Sequence, residues 1–206
     1  GVPMPRMVPS ANERVFSNAV SASGSAVALV DQGAPIDATR YNTEYVDTEI
    51  EILGRRCFTG IRLVCVDRHI VMAKALARDV SEGSPSVHAY DTPVDAALIE
   101  ALHERLILPN RAVFDDIAVG VSNALGPGFW AHDLLPESGS GRMLVCETGF
   151  KFDTSQFWTH VKPIIEELPS YRRFADPADM ARLAAVPFVA ILEERLVAAS
   201  PVQGGA

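Results

Sequence analysis

Residues 45–53, YVDTEIEIL, alternate strictly: Tyr45, Asp47, Glu49 and Glu51 fall on one side, and Val46, Thr48, Ile50 and Ile52 on the other. A period of two predicts a half-buried strand. In the next run, CFTGIRLVCV, Ile61, Leu63 and Cys65 share a face with Cys57, while Arg62 points the other way. Two such runs joined at Gly54-Arg55-Arg56 predict a hairpin. His69–Met72 either continue as strand or turn into a helix over Ala73–Val80. Further strands are expected around Ala26–Val30, Val87–Tyr90, Val113–Val121 and Met143–Cys146.

The helical period is clearest over Asp95–Leu108. Ala97, Leu98, Ala101, Leu102, Arg105 and Leu106 form one stripe, with Glu100, His103 and Glu104 opposite. Thr92-Pro93 supplies its start signal. A helix is also expected over residues 161–168, limited by Pro169. Asp176 reads as the N-cap of a further helix, with Pro177 at its first position. Pro187 is expected to interrupt before an apolar C-terminal helix, Val189–Ala199. Strands early and helices late predict an α+β fold: a mixed sheet in the first half with helices packed on it, and a helix-rich C-terminal part. The chain divides into an extended arm (1–12), a single globular domain (13–199) and a flexible tail (200–206).

Composition supports a self-sufficient core. The 206 residues are 48% hydrophobic and 21% charged, ordinary proportions for a folded domain. A chain this long buries roughly 70% of its unfolded surface without needing a metal or disulfide. The net charge of −8 repels phosphate backbones. The densest basic runs, Arg55-Arg56 and Arg172-Arg173, are only pairs, so nucleic acid is not an expected partner. No apolar run reaches the about eighteen residues of a membrane span. GVPMPRMVPS lacks the apolar stretch of a signal peptide. A cytoplasmic location, or one within a particle, is therefore expected.

The first chemical candidate is a serine–lysine pair. Only Lys74, Lys151 and Lys162 are lysines. Ser122, in Val119-Gly120-Val121-Ser122-Asn123, closes the expected strand Val113–Val121. Lys162 opens a helix, and the strand between them ends in Thr148-Gly149. A lysine kept neutral by burial can take a serine's proton, and a nearby hydroxyl can orient it. Over residues 119–165 this layout resembles the Lon-type and birnavirus-type Ser–Lys proteases. They too carry a glycine-flanked serine, then a strand with Thr-Gly, then a helix with the lysine. The resemblance implies a serine hydrolase with Ser122 as nucleophile, Lys162 as base and Thr148 as its orienting group. The chain departs from that pattern at Asn123, where a small residue is usual, and at the helix-breaking Gly126-Pro127-Gly128.

Other constellations carry less. Asp95 and Ser140 sit as a chymotrypsin-like acid and nucleophile could, but Ala75 stands near where the histidine is needed. His69, His88, His103, His132 and His160 show no metal-ligand spacing, and the three cysteines, Cys57, Cys65 and Cys146, form no CxxC, so no metal site is expected. The cysteines read as buried thiols. His132-Asp133 could form a local acid–base pair. Asp115-Asp116 and Glu166-Glu167 point apart. No phosphate-loop or dinucleotide motif is present, and no cofactor is expected.

Two sticky features remain. The arm carries Val2, Met4, Met7 and Val8. Phe129, Trp130, Phe150, Phe152, Phe157 and Trp158 crowd into a short aromatic segment, and aromatics are frequent interface anchors. The leading expectation is a structural or assembly domain that docks on neighbouring subunits through Met4, Met7, Phe129, Trp130, Phe157 and Trp158, as in a virus particle. The alternative is the Ser122–Lys162 hydrolase.

Overall fold

The computed structural model describes residues 1–18, 28–150 and 155–199. The tail 200–206 and Phe152 lie outside the described residues, as does the side chain of Phe157 in its helix. Two antiparallel sheets organise the chain. The small one joins β1 (Val15–Asn18), β2 (Ala28–Val30) and β3 (Tyr41–Glu44) in the order β2-β1-β3. The large one contains β4 (Glu49–Ile52), β5 (Arg55–Val66), β6 (His69–Asp79), β7 (Phe129–Pro136) and β8 (Met143–Gly149). The fold is α+β.

β5 is the spine of the large sheet. One of its edges carries β6 along its whole length, and the other carries β4 and then β7, with β8 beyond. The β4–β5 hairpin turns on Leu53 and Gly54, both at positive φ (49° and 72°). That is the backbone a tight two-residue hairpin turn demands. The segment Ala73–Val80 is strand and not helix up to Asp79, despite its alanines. Ten register pairs with β5 outweigh a local helix preference worth only tenths of a kcal/mol per residue, roughly.

α1 (Ala96–Leu102) begins at Asp95, whose carboxylate accepts from the Leu98 N–H at 3.1 Å; the cap is Asp95 and not Thr92. The helical path continues through one wide turn, His103–Ile107, and a tight one, Leu108–Asn110, into α2 (Arg111–Leu125). The strand expected over Val113–Val121 is therefore helix. Phe114, Ile117, Ala118 and Val121, its buried residues, recur at i, i+3, i+4 and i+7, the spacing of one helix face. Val87–Tyr90 forms no strand either; Ala89–Asp91 make a single tight turn.

α3 (Ser155–Val161) runs into the tight turn Lys162–Glu167, and α4 (Pro177–Ala199) closes the described chain. Asp176 caps α4 as expected, accepting from the Ala178 N–H at 2.7 Å. Pro187 does not interrupt it; the helix continues through the proline, which removes one backbone bond without ending the packing that holds the helix. No helix among the described residues is long and apolar enough to cross a membrane.

The sheet separates two cores. Cys57, Ile61, Leu63 and Cys65 of β5 face Leu98, Leu102, Phe114, Ile117 and Val121 of α1 and α2. Val64 and Val66, on the opposite face, meet Val161, Leu168, Tyr171, Phe174, Met180 and Ile191. The open edge of β6 is closed by side chains. The Ala75 N–H donates to Tyr171 Oη at 3.4 Å, and the Ala77 N–H donates to Thr92 Oγ1 at 3.0 Å.

The arm lies along its own domain. Val145 N–H donates to the Pro3 carbonyl at 2.8 Å, Glu44 N–H to that of Arg6 at 2.9 Å, and Val8 N–H to that of Asn42 at 3.1 Å. Val2 packs against the α1/α2 core. Met4 and Met7 stay about half exposed, at 54% and 53%.

Candidate functional site

The expected serine–lysine set is not gathered. Ser122 stands in α2 and not at a strand end, and its hydroxyl donates to the Asp67 carboxylate. Asp67 is buried in the β5–β6 turn at φ 54°, so Ser122 braces that turn. Thr148 Oγ1 contacts His132 Nδ1 at 3.1 Å. Lys162 is exposed on the first position of its turn. The adjacent Val161 packs in the α3/α4 layer, whereas Val121 packs in the α1/α2 layer across the sheet.

The aromatic segment is used within the chain. Trp130 is buried, stacks on Phe150 with centroids 4.5 Å apart, and donates to the Gly126 carbonyl at 3.2 Å. Phe129 meets Phe188 of α4 at 5.4 Å, and Trp158 meets Phe174 at 6.2 Å. Cys57 and Cys65 are buried thiols as expected, but Cys146 is exposed, at the irregularity where the β7–β8 register shifts. Asp133 does not pair with His132. Adjacent strand residues point to opposite faces, and His132 is sealed in the α1/α2 core.

What the sheet does bring together is a row of four charges. Lys74 on β6 is directly opposite Arg62 on β5, Arg62 opposite Asp133 on β7, and Asp133 opposite Glu147 on β8. Directly opposed residues of antiparallel strands share a face, so one charged row crosses four strands on the α3/α4 side. Arg62 Nε and Nη2 donate to the two Asp133 carboxylate oxygens, each at 2.6 Å. This is the parallel two-bond geometry that makes arginine–carboxylate pairs strong. Exposure grades along the row: Lys74 is 1% exposed, the Arg62 and Asp133 side chains 21% and 29%, and Glu147 is exposed. The neighbouring row, Met72, Val64, Ala131 and Gly149, shrinks toward β8, so the floor beside the carboxylates is low.

The order of charges is plus, plus, minus, minus. A row arranged for sheet stability would alternate signs, because like charges directly opposite one another are destabilising. Here both flanking pairs are like-charged, and Lys74, Arg62 and Glu147 are each engaged with surrounding groups as well. What the row offers chemically is a segregated set of cations and carboxylates on one face. Sequence reading passes over Lys74, Arg62, Asp133 and Glu147 as a set. The available signal is Lys74 itself, a lysine inside the apolar run IVMAKALA.

A cleft of about 230 Å³ elsewhere is lined by Ile50, Arg105, Leu106, Pro136, Glu137 and Met143, among others. Its charges are already committed. Arg105 donates to the Glu51 carbonyl, and Arg142 grips Glu137 at 2.7 and 2.8 Å. Those bonds push the Glu137 carboxyl down to about 2.

No family model and no curated protein matches the chain. Among solved structures it is similar to N5-carboxyaminoimidazole ribonucleotide synthetase from Thermotoga maritima, at 16% identity and a TM-score of 0.39. That match covers 82% of this chain and 46% of the other, so this chain spans just under half the length of that protein.

Proposed function

We propose that the charged row is the binding face for a phosphate-bearing small ligand that arrives with a divalent cation. The supporting observation is the segregation of charge along Lys74, Arg62, Asp133 and Glu147, with two cations and two carboxylates on one face of one sheet. The Arg62 guanidinium, 21% exposed, suits phosphate oxygens, with the buried Lys74 adding positive charge beneath it. Two adjacent carboxylates suit magnesium, which is held by one or two protein carboxylates, water and the ligand's own phosphates.

Calorimetric titration tests this with inorganic triphosphate and a nucleoside triphosphate, each with and without magnesium. Magnesium-dependent binding is expected, weakened about tenfold or more, over 1.4 kcal/mol, by Asp133→Asn and by Lys74→Met. Lys162→Ala should bind as the parent does. Binding that is indifferent to Asp133 and Lys74, or no heat at millimolar ligand, overturns the reading.

A further inference from the structure

α4 has two apolar sides. Met180, Ala184 and Ile191 are 6–8% exposed and face the sheet. Phe188 meets Phe129, and Glu194 is tied to Arg68 at 2.8 Å. The side turned away from the domain should be polar on a surface helix. Instead Val186, Val189, Leu196 and Val197 are 73%, 50%, 70% and 77% exposed there.

The outward residues follow a particular spacing. Arg182, Val186, Val189, Glu193 and Leu196 succeed one another at intervals of four, three, four and three, the seam of a coiled coil. The seam is also its own complement. Arg182 and Glu193 are equally distant from the midpoint between Pro187 and Phe188, and so are Val186 and Val189, and Leu183 and Leu192. Turn a second α4 antiparallel about a two-fold axis through that midpoint. Val186 then meets Val189, and Arg182 meets Glu193 twice, once at each end of the apolar patch, with Leu183 and Leu192 flanking the seam on its two sides. A two-fold interface needs one patch that complements itself, and here the charges next to the two valines carry opposite sign at matched distances, with Arg182 also held by Asp179 one turn earlier at 2.8 Å.

We infer that the outward face of α4 pairs with α4 of a second copy of this chain, as a short antiparallel coiled coil closed at both ends by Arg182–Glu193 bridges. The inference is independent of the phosphate-ligand reading, because the seam and the charged row share no residue. One helix pair covers less than the on the order of 1,600 Å² of a standard stable interface. The dimer should therefore be concentration-dependent.

Sedimentation equilibrium of the intact chain over about 1–300 μM tests it, a range that brackets a micromolar dissociation constant. A monomer–dimer equilibrium is expected. Arg182→Glu should weaken it about tenfold by opposing two carboxylates at each end, and Glu193→Arg should do the same with two cations. The double exchange Arg182→Glu, Glu193→Arg should restore it. Val186→Asp should leave only monomer. Circular dichroism melts of each variant show whether the fold survives; these positions are solvent-facing in the single chain, so unfolding temperatures at low concentration should stay close to the parent's. A monomer throughout the range overturns the pairing. So does a dimer that ignores Val186→Asp, or a double exchange no better than the single ones.

Discussion

Arg62 and Asp133 stand directly opposite each other on neighbouring strands and share two parallel hydrogen bonds of 2.6 Å. They are 71 positions apart in the chain, and their union welds β7 to the spine of the sheet. Asp133→Asn removes the charge and one accepting oxygen from a pair only a fifth to a third exposed. Without ligand the expected cost is roughly 1–2 kcal/mol, since partners of a half-buried charge pair lose more than surface pairs do. Urea denaturation measures it. A loss below the error of extrapolation would mean that the pair contributes only placement.

Lys74→Met tests what the buried lysine holds. Lys74 is 1% exposed and engaged within the fold, and removing one partner of a buried charge interaction costs roughly 3–5 kcal/mol. The variant should therefore unfold at a lower urea concentration than the parent, and in its folded range it should also lose phosphate binding. A variant as stable as the parent would mean that the ammonium adds no net stability, and parent-like binding by the folded variant would take Lys74 out of the ligand site.

The hairpin β4–β5 is legible in the chain because one of its faces is buried, so each residue from Glu49 to Ile61 is held to one side. α2 is not, for a reason that can be stated. Val113, Val119 and Val121 weigh toward strand, while the helical spacing of Phe114, Ile117, Ala118 and Val121 runs in the same residues. Spacing wins because the helix buries that stripe in the core on one face of the large sheet, nearest β6. β6 is the reverse case, an alanine-rich run made strand by its partner. The charged row escapes sequence reading altogether. Its four members lie on four strands, and their juxtaposition depends on register, which no local pattern carries. The Ser122–Lys162 pair looks plausible in one dimension because a sheet that separates their layers cannot be seen there.

His132 should make the fold acid-sensitive. It is wholly buried, with Nδ1 bonded to Thr148, and burial pushes its pKa down from 6.5 to about 4. Between those two values the unfolded chain takes up a proton that the folded chain refuses. Stability should therefore be unaffected by this group above pH 6.5 and fall as the pH drops toward 4, by on the order of 3 kcal/mol in all. Burial lowers the His103 pKa as well, which adds to the same slope. Urea midpoints between pH 4 and pH 7.5 should decline less steeply in His132→Gln. Identical slopes in parent and variant would assign the acid sensitivity to other groups.

The closed edge of β6 offers a graded test of how this fold protects a strand. Its free N–H groups at Ala75 and Ala77 are met by the hydroxyls of Tyr171 and Thr92, at 3.4 and 3.0 Å. A bond near 3.0 Å is close to the optimum, and one at 3.4 Å lies on its weak shoulder. Thr92 is fully buried, so Thr92→Val leaves the Ala77 N–H with neither protein nor water to bond. An orphaned buried donor costs about 1–3 kcal/mol. Tyr171→Phe should cost less, because the bond it loses is longer. Amide exchange reads the two sites directly. Ala77 should lose protection in Thr92→Val beyond what global destabilisation explains, and Ala75 should lose less in Tyr171→Phe. A reversed order would mean that the bulk of Tyr171, and not its hydroxyl, is what seals the strand.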